Sequence, residues 1–94
     1  MGGNSKLHFM QTWTLKPGVI ETDLDDELVL LDPKTQGMFS LNATGRVIWH
    51  GIKNTESLEV IARQLEQQFT VSFEQAQQDA STLIADLEKA GLIS

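Results

Sequence analysis

Residues 27–41 read ELVLLDPKTQGMFSL, two apolar runs separated by a turn that contains Pro and Gly. The first run, residues 27–32, is nearly unbroken and predicts a central strand covered on both faces. The second, residues 38–41, predicts a short strand that follows the turn, in which Gly37 is free to take a positive φ. The stretch therefore predicts two neighbouring antiparallel strands.

The segment upstream adds a further strand. Apolar and polar residues alternate over residues 19–24, as in a half-exposed strand. Asp25 and Asp26 follow, and aspartate suits a hairpin turn because its side chain can bond nearby backbone. The sequence thus predicts a three-stranded antiparallel meander, with its third strand at an edge.

Beyond the third strand the hydrophobic period becomes helical. Asn42 has the side chain of an N-cap, and we expect a short helix from there to about Gly51. Ser57 can cap a second helix. Its apolar residues recur at helical spacing and are Leu58, Ile61, Ala62, Leu65 and Phe69.

A third helix begins with a capping box, Ser72 and Gln75, and ends at Gly91. Its apolar stripe consists of Phe73, Ala76, Ala80, Leu83, Ile84 and Leu87. The link at residues 70–71 is too short to let the last two helices separate. We therefore expect an α+β fold, a three-stranded antiparallel sheet followed by three helices, in a winged-helix-like arrangement.

Length and composition indicate one small domain. The chain has 94 residues, of which 40% are hydrophobic and 21% charged, the proportions of an ordinary globular protein. We expect a flexible lead over residues 1–16 and a folded domain over residues 17–94. The lead contains Phe9 and Trp13, and the sequence leaves open whether Trp13 packs on the sheet or marks a surface for a partner.

Charge excludes some partners. Seven Lys and Arg against thirteen Asp and Glu give a net charge of -6, which repels phosphate backbones and anionic headgroups. We therefore expect neither nucleic acid nor a membrane as a partner. The chain has neither a signal-peptide core nor an apolar run of the ~20 residues that span a bilayer, so we expect a cytoplasmic protein.

Catalytic and metal-binding patterns are not found in the sequence. The chain contains no Cys, and its two histidines, His8 and His50, have no carboxylate at helical or hairpin spacing. The acidic residues between positions 21 and 32 lack the spacing of a calcium loop and are typical of a solvated hairpin. We expect no catalysis, no metal and no cofactor.

A winged helix that binds DNA would have the same order of elements. Its recognition helix would need cationic or amide side chains in the major groove. The third helix instead carries four acidic residues and one Lys89; the acidic residues are Glu74, Asp79, Asp86 and Glu88. The residues disfavour this alternative.

A binding module for an extended peptide fits better. The edge strand exposes backbone groups that can pair with a further strand, and the stripe of the third helix is wider than one packing partner needs. Leu83 and Ala90 lie on one border of that stripe, with Asp79 and Asp86 just beyond. The alternative, that these apolar residues are plain core and the edge is merely tolerated, stays open. An open edge also permits a homodimer.

Residues 30–49, LLDPKTQGMFSLNATGRVIW, resemble the signature of the PqqD-like family. The later segments FTVS at residues 69–72 and LEKAGLI at residues 87–93 are also similar to it. Together these segments lie within residues 17–93, nearly all of the expected domain. The pair at Met38 and Phe39 departs from the larger aromatic pair common in the family.

The resemblance implies a recognition element of ribosomal peptide modification, which binds the leader of a precursor peptide against the third strand and the third helix. It implies contacts from the strand residues Met38, Phe39, Ser40 and Leu41, and from the helix residues Asp79, Leu83, Asp86, Leu87 and Ala90. The implied partner is a modifying enzyme. We favour the leader protease of a lasso-peptide pathway over the radical SAM enzyme of a pathway such as pyrroloquinoline quinone synthesis.

Overall fold

The computed structural model describes residues 11–94 and confirms the expected α+β fold. Its elements in chain order are β1 (Ile20–Asp23), β2 (Leu28–Asp32), β3 (Gly37–Leu41), α1 (Ala43–Lys53), α2 (Leu58–Gln68) and α3 (Phe73–Lys89). The strands form one antiparallel sheet in the order β1-β2-β3. The third strand is therefore at an edge, as predicted.

The sheet buries one face. Leu28, Leu30 and Leu41 point into the core, which also takes in residues of all three helices. On the opposite face, Val29 and Leu31 of β2 are only half-buried. The expectation that β2 is covered on both faces is therefore wrong, because the helices pack on one side of the sheet.

Both hairpin turns contain a residue with left-handed backbone. Asp25 has φ 67°, and its N–H donates to Asp23 Oδ1 at 3.0 Å. In the second turn Gln36, not Gly37, takes the positive φ, at 60°. Gly37 is instead the first residue of β3, where it pairs with Asp32, so it needs extended backbone.

Asn42 is the N-cap of α1, and the helix runs past the end expected from the sequence. The Asn42 Oδ1 accepts from the Gly45 N–H at 2.9 Å, as an N-cap does. Gly51 does not end the helix but lies buried within it. A Cβ at Gly51 would lie 2.5 Å from Ile61 Cγ1, so this glycine lets α2 approach α1 closely.

The helices α2 and α3 form the expected hairpin. Ser57 and Ser72 are their N-caps, and each side chain accepts from the N–H three residues on. The capping box of α3 is half formed, because the Gln75 side chain donates to Asp79 at 2.7 Å. Gly91, with φ 76°, follows the end of α3 as predicted.

The segment before β1 is held by the C-terminal residues. Thr14 and Ser94 exchange two backbone hydrogen bonds of 2.9 Å, and the Lys16 N–H donates to the Leu92 carbonyl at 2.9 Å. The Trp13 side chain is 3% exposed and belongs to the core. Residues 13–16, expected in the lead, are thus in contact with the domain, whereas Phe9 and His8 lie outside the described residues.

Within residues 11–94, no helix is long and apolar enough to cross a membrane.

Candidate peptide-binding site

An open groove of about 700 Å³ separates the end of β3 from the middle of α3. Three parts of the chain form it: the β1–β2 turn with the end of β3, the first two turns of α1, and one face of α3. The lining residues are Asp26, Glu27, Ser40, Leu41, Asn42, Thr44, Gly45, Ile48, Asp79, Thr82, Leu83 and Asp86.

The strand side of the groove is an open sheet edge. Within the described residues, β3 pairs with β2 on one side and with no strand on the other. Ser40 is exposed, and its hydroxyl donates to the Glu27 carboxylate. The β2–β3 register pairs Leu28 with Leu41, and this brings Glu27 beside the end of β3.

The helix side follows from the period of α3. Residues 79, 82, 83 and 86 are spaced three, four and seven apart, so they share one face. Leu83 is half-buried, whereas Asp86 is exposed. The groove therefore has an apolar patch at Leu83, with an aspartate about one turn away on either side.

The start of α1 forms the floor. Gly45 lies against Leu41, since a Cβ there would be 3.2 Å from both Leu41 Cβ and Leu41 Cδ2. Ile48, one turn further along the helix, is buried. Leu41 and Ile48 thus give the groove an apolar base, and the close approach at Gly45 lets α1 begin directly behind β3.

Two ion pairs fasten α1 to β1. Arg46 Nη1 lies 2.7 Å from Asp23 Oδ2, and Lys53 Nζ lies 2.9 Å from Glu21 Oε2. The hydrogen bond with Asp23 raises the pKa of Arg46, and that from Arg46 lowers the pKa of Asp23. Partial burial raises the pKa of Glu21, but the hydrogen bond and positive charge of Lys53 act in the opposite direction, and the net direction is down. These pairs hold the floor in place against the sheet.

The structure brings five of the nine predicted contact residues together around the groove. They are Ser40, Leu41, Asp79, Leu83 and Asp86. Their role in peptide binding stays a prediction.

The other four predicted contacts lie elsewhere. Met38 is 71% exposed on the outer sheet face, and Phe39 packs against the core further along β3. Ala90 caps the end of α3 and is exposed. Leu87 is fully buried in the core, so it offers no surface to a ligand in this structure.

Several lining residues were not predicted. Asp26 and Glu27 come from the β1–β2 turn, which lies at the same end of the sheet as the last residue of β3, because Leu28 pairs with Leu41. Counting back along β2 from the turn at residues 33–36 would have placed Glu27 near the end of β3. Thr82 lies one position from Leu83 on α3, and its spacing of three from Asp79 was the available signal.

In residues 11–94, no three His, Cys, Asp or Glu side chains converge as metal ligands would.

A sequence profile described as "Coenzyme PQQ synthesis protein D (PqqD)" matches residues 27–93. No curated protein sequence matches the chain significantly.

Two solved structures resemble this one. The first, TbiB1 in complex with the TbiA(beta) leader peptide, is 25% identical, with a TM-score of 0.78 over 86% of this chain and 94% of that chain. The second, lasso peptide synthetase B1 complexed with the leader peptide, is 24% identical, with a TM-score of 0.80 over 87% and 96%. The second likeness shows the fold alone.

Proposed function

This chain belongs to the PqqD family, and we propose that it binds the leader segment of a ribosomally made precursor peptide and presents that precursor to a modifying enzyme. The leader adds as a strand to the outer edge of β3 and directs alternate side chains into the groove against α3. Backbone hydrogen bonds provide affinity in this mode of binding, and the groove provides specificity.

The observation that carries the proposal is the position of the groove beside an open strand edge. An edge strand presents a row of backbone donors and acceptors that a further strand can satisfy. The apolar base at Leu41 and Ile48 lies next to that edge, where side chains of an added strand would reach it. The similar fold of TbiB1, solved in complex with a leader peptide, supports the same use of this chain.

For the enzyme partner we favour the leader protease of a lasso-peptide pathway. This choice is compatible with the fold that the chain shares with lasso peptide synthetase B1. The alternative partner is a radical SAM enzyme, supported by the family description as a coenzyme PQQ synthesis protein. In either setting the chain recognises its peptide and leaves the chemistry to the enzyme, and it acts in the cytoplasm, where the precursor is translated.

The charge of α3 speaks against DNA as the ligand. The helix carries Glu74, Asp79, Asp86 and Glu88 against a single Lys89, so a position of α3 beside DNA phosphates would be repulsive. A titration with duplex DNA at low salt belongs beside the peptide titration. Saturable binding to DNA, without binding to a leader, would replace this proposal with the winged-helix alternative.

Two substitutions at one position test the strand addition. Ser40→Pro removes a backbone N–H from β3 and restricts its φ, whereas Ser40→Ala removes the hydroxyl and leaves the backbone intact. We expect Ser40→Pro to weaken leader binding at least about tenfold, a loss of ~1.4 kcal/mol, and Ser40→Ala to bind within about threefold of the wild type.

The measurement is an amide-resolved NMR titration with the leader of the precursor encoded beside the chain. Circular dichroism of each variant checks that the helices remain folded. In the wild type, shifts should concentrate in β3 and in residues 79–86 of α3. Unchanged leader binding by a folded Ser40→Pro variant would exclude strand addition at β3.

A further inference from the structure

The two walls of the groove carry charge of one sign. Asp26 and Glu27 lie on the strand side, and Asp79 and Asp86 lie on the helix side. Of the described residues that line the groove, none is Lys, Arg or His. Asp79 and Asp86 are seven residues apart on one helix face, which separates them by about 10 Å along the axis.

Among residues 11–94, no cationic side chain forms an ion pair with these carboxylates. Glu27 accepts from the Ser40 hydroxyl, and Asp79 accepts from the Gln75 amide at 2.7 Å, so both have uncharged partners. In the described part of the chain, every ion pair involves a carboxylate outside the groove. These pairs are Lys16–Asp32, Arg46–Asp23, Lys53–Glu21 and Arg63–Glu59.

Uncompensated charge on two facing walls favours a ligand of opposite sign. Walls of low dielectric focus the field of such charges into the space between them. Between the walls the base is apolar, at Leu41 and Ile48, with Leu83 beside it. The groove thus offers a place for an apolar side chain with cationic side chains next to it in sequence.

We propose that the groove selects a basic leader segment, in which an apolar side chain docks between β3 and α3 and lysine or arginine residues on either side of it face the groove carboxylates. This inference rests on the proposed function and specifies the chemistry of its peptide. A segment with acidic residues at the same places is rejected, because its carboxylates would face Asp79 and Asp86 at close range.

The test uses a displayed library of random 16-residue peptides, selected on the full chain at low ionic strength. Selected peptides are synthesised, and NMR shifts identify those that bind at β3 and α3. We expect these groove binders to contain an excess of Lys and Arg over Asp and Glu relative to the starting library. Their affinity should fall about tenfold between 50 and 300 mM salt, because rim charges act through screened attraction.

A matched pair of double variants separates the groove from the overall charge. Asp79→Asn with Asp86→Asn removes two groove charges, and Glu66→Gln with Glu88→Gln removes two exposed charges outside the groove. Both raise the net charge by two. We expect the first pair to weaken groove binders at least about tenfold and to reduce their salt dependence, and the second to change affinity less than about twofold.

The other possible results separate the charge selection from the proposed function. Groove binders without a basic excess, or an equal loss in both double variants, would overturn the charge selection and leave peptide binding at β3 standing. Recovery of no peptide that shifts β3 and α3 would overturn the proposed function together with this inference.

Discussion

Asp32 has an almost fully buried carboxylate at the end of β2. Lys16 Nζ lies 2.5 Å from its Oδ2, and the Lys34 N–H donates to its Oδ1 at 3.0 Å. The bond from Lys16 is the largest influence and lowers the pKa of Asp32, outweighing the opposite effect of burial. The folded chain therefore holds the charged form more firmly than the unfolded chain does. The resulting stability is present above about pH 4 and is lost as the pH falls through the lowered pKa.

The variant Asp32→Asn tests this linkage. We expect it to be less stable than the wild type at pH 7, because Lys16 loses its charged partner. We expect the difference to shrink as the pH falls below about 4, because the wild-type carboxylate then takes up its proton as the pH passes through its lowered pKa. Urea unfolding at several pH values measures both. The exposed Glu66→Gln is the control, and a difference that is constant with pH would contradict the linkage.

At Gly51 the absence of a side chain allows the close packing of α1 and α2. Gly51→Ala would place a methyl group 2.5 Å from Ile61 Cγ1, so α1 and α2 would have to separate. We expect a loss of about 1–3 kcal/mol in the free energy of unfolding, although alanine has the better helix propensity. Urea unfolding measures it, with the exposed neighbour His50→Ala as control. Equal stability of Gly51→Ala and the wild type would mean that the helices are not in close contact there.

Two glycines, Gly51 and Gly37, have roles that the local sequence does not predict. A glycine after a periodic run usually ends a helix, and nothing local distinguishes Gly51 from such a glycine. Its role depends on Ile61, which only the packing of α2 brings near. Similarly, Gly37 pairs with Asp32 as part of β3, and the residue of the turn with a positive φ is Gln36.

At the scale of elements, α3 serves the core and the groove with neighbouring rows of side chains. Leu83 is half-buried and lines the groove, whereas Leu87, one turn on, is fully buried. Alanine at position 83 should therefore mainly weaken leader binding, whereas alanine at position 87 should mainly lower the stability of the fold. Leu83→Ala should weaken leader binding about tenfold with a small change in stability, through the lost apolar contact.

Leu87→Ala is the matched variant. We expect it to lose about 2–5 kcal/mol of stability, because it leaves a cavity in the core. Where it remains folded, it should bind the leader nearly as well as the wild type. Thermal unfolding and calorimetric titration of the same two samples give both quantities. A loss of binding by Leu87→Ala without a loss of stability would place Leu87 in the site after all.

The elements and their order were predictable, whereas the walls of the site were predictable only in part. Periodicity identified the edge position of β3 and the stripe of α3 with Leu83 on its border, whereas Ser40 was implied by the family resemblance. It did not tell Leu83 from Leu87, because both lie in the apolar stripe and only packing against the other helices decides which is covered. The acidic wall from Asp26 and Glu27 depends on the register across the sheet.

At the scale of the whole molecule, the chain closes on itself. Residues 13–16 run antiparallel to residues 92–94, with Leu15 opposite Ile93. Trp13 inserts into the core beside this pairing. The sequence did not predict it, since a bridge between two chain ends this far apart leaves no local pattern. Residues on the N-terminal side of the predicted boundary, between residues 16 and 17, therefore contact the domain on its other side.

Removing the indole tests how far the domain extends. We expect Trp13→Ala to lose about 3–5 kcal/mol of stability and a chain that begins at residue 17 to lose at least as much. Urea unfolding measures both, with the exposed Thr12→Ala as control. Unchanged unfolding midpoints would confine the stable domain to residues 17–94.

The pairing of Thr14 with Ser94 also has an architectural consequence. A polypeptide that passes through this fold enters and leaves at adjacent points, so the unit can be spliced into a surface loop of another protein without forcing the host apart. The inserted unit would bring its peptide-binding groove to the host protein. Joined to a catalytic domain by a short tether, it would raise the local concentration of the substrate at that domain without adding a contact to the reacting residue.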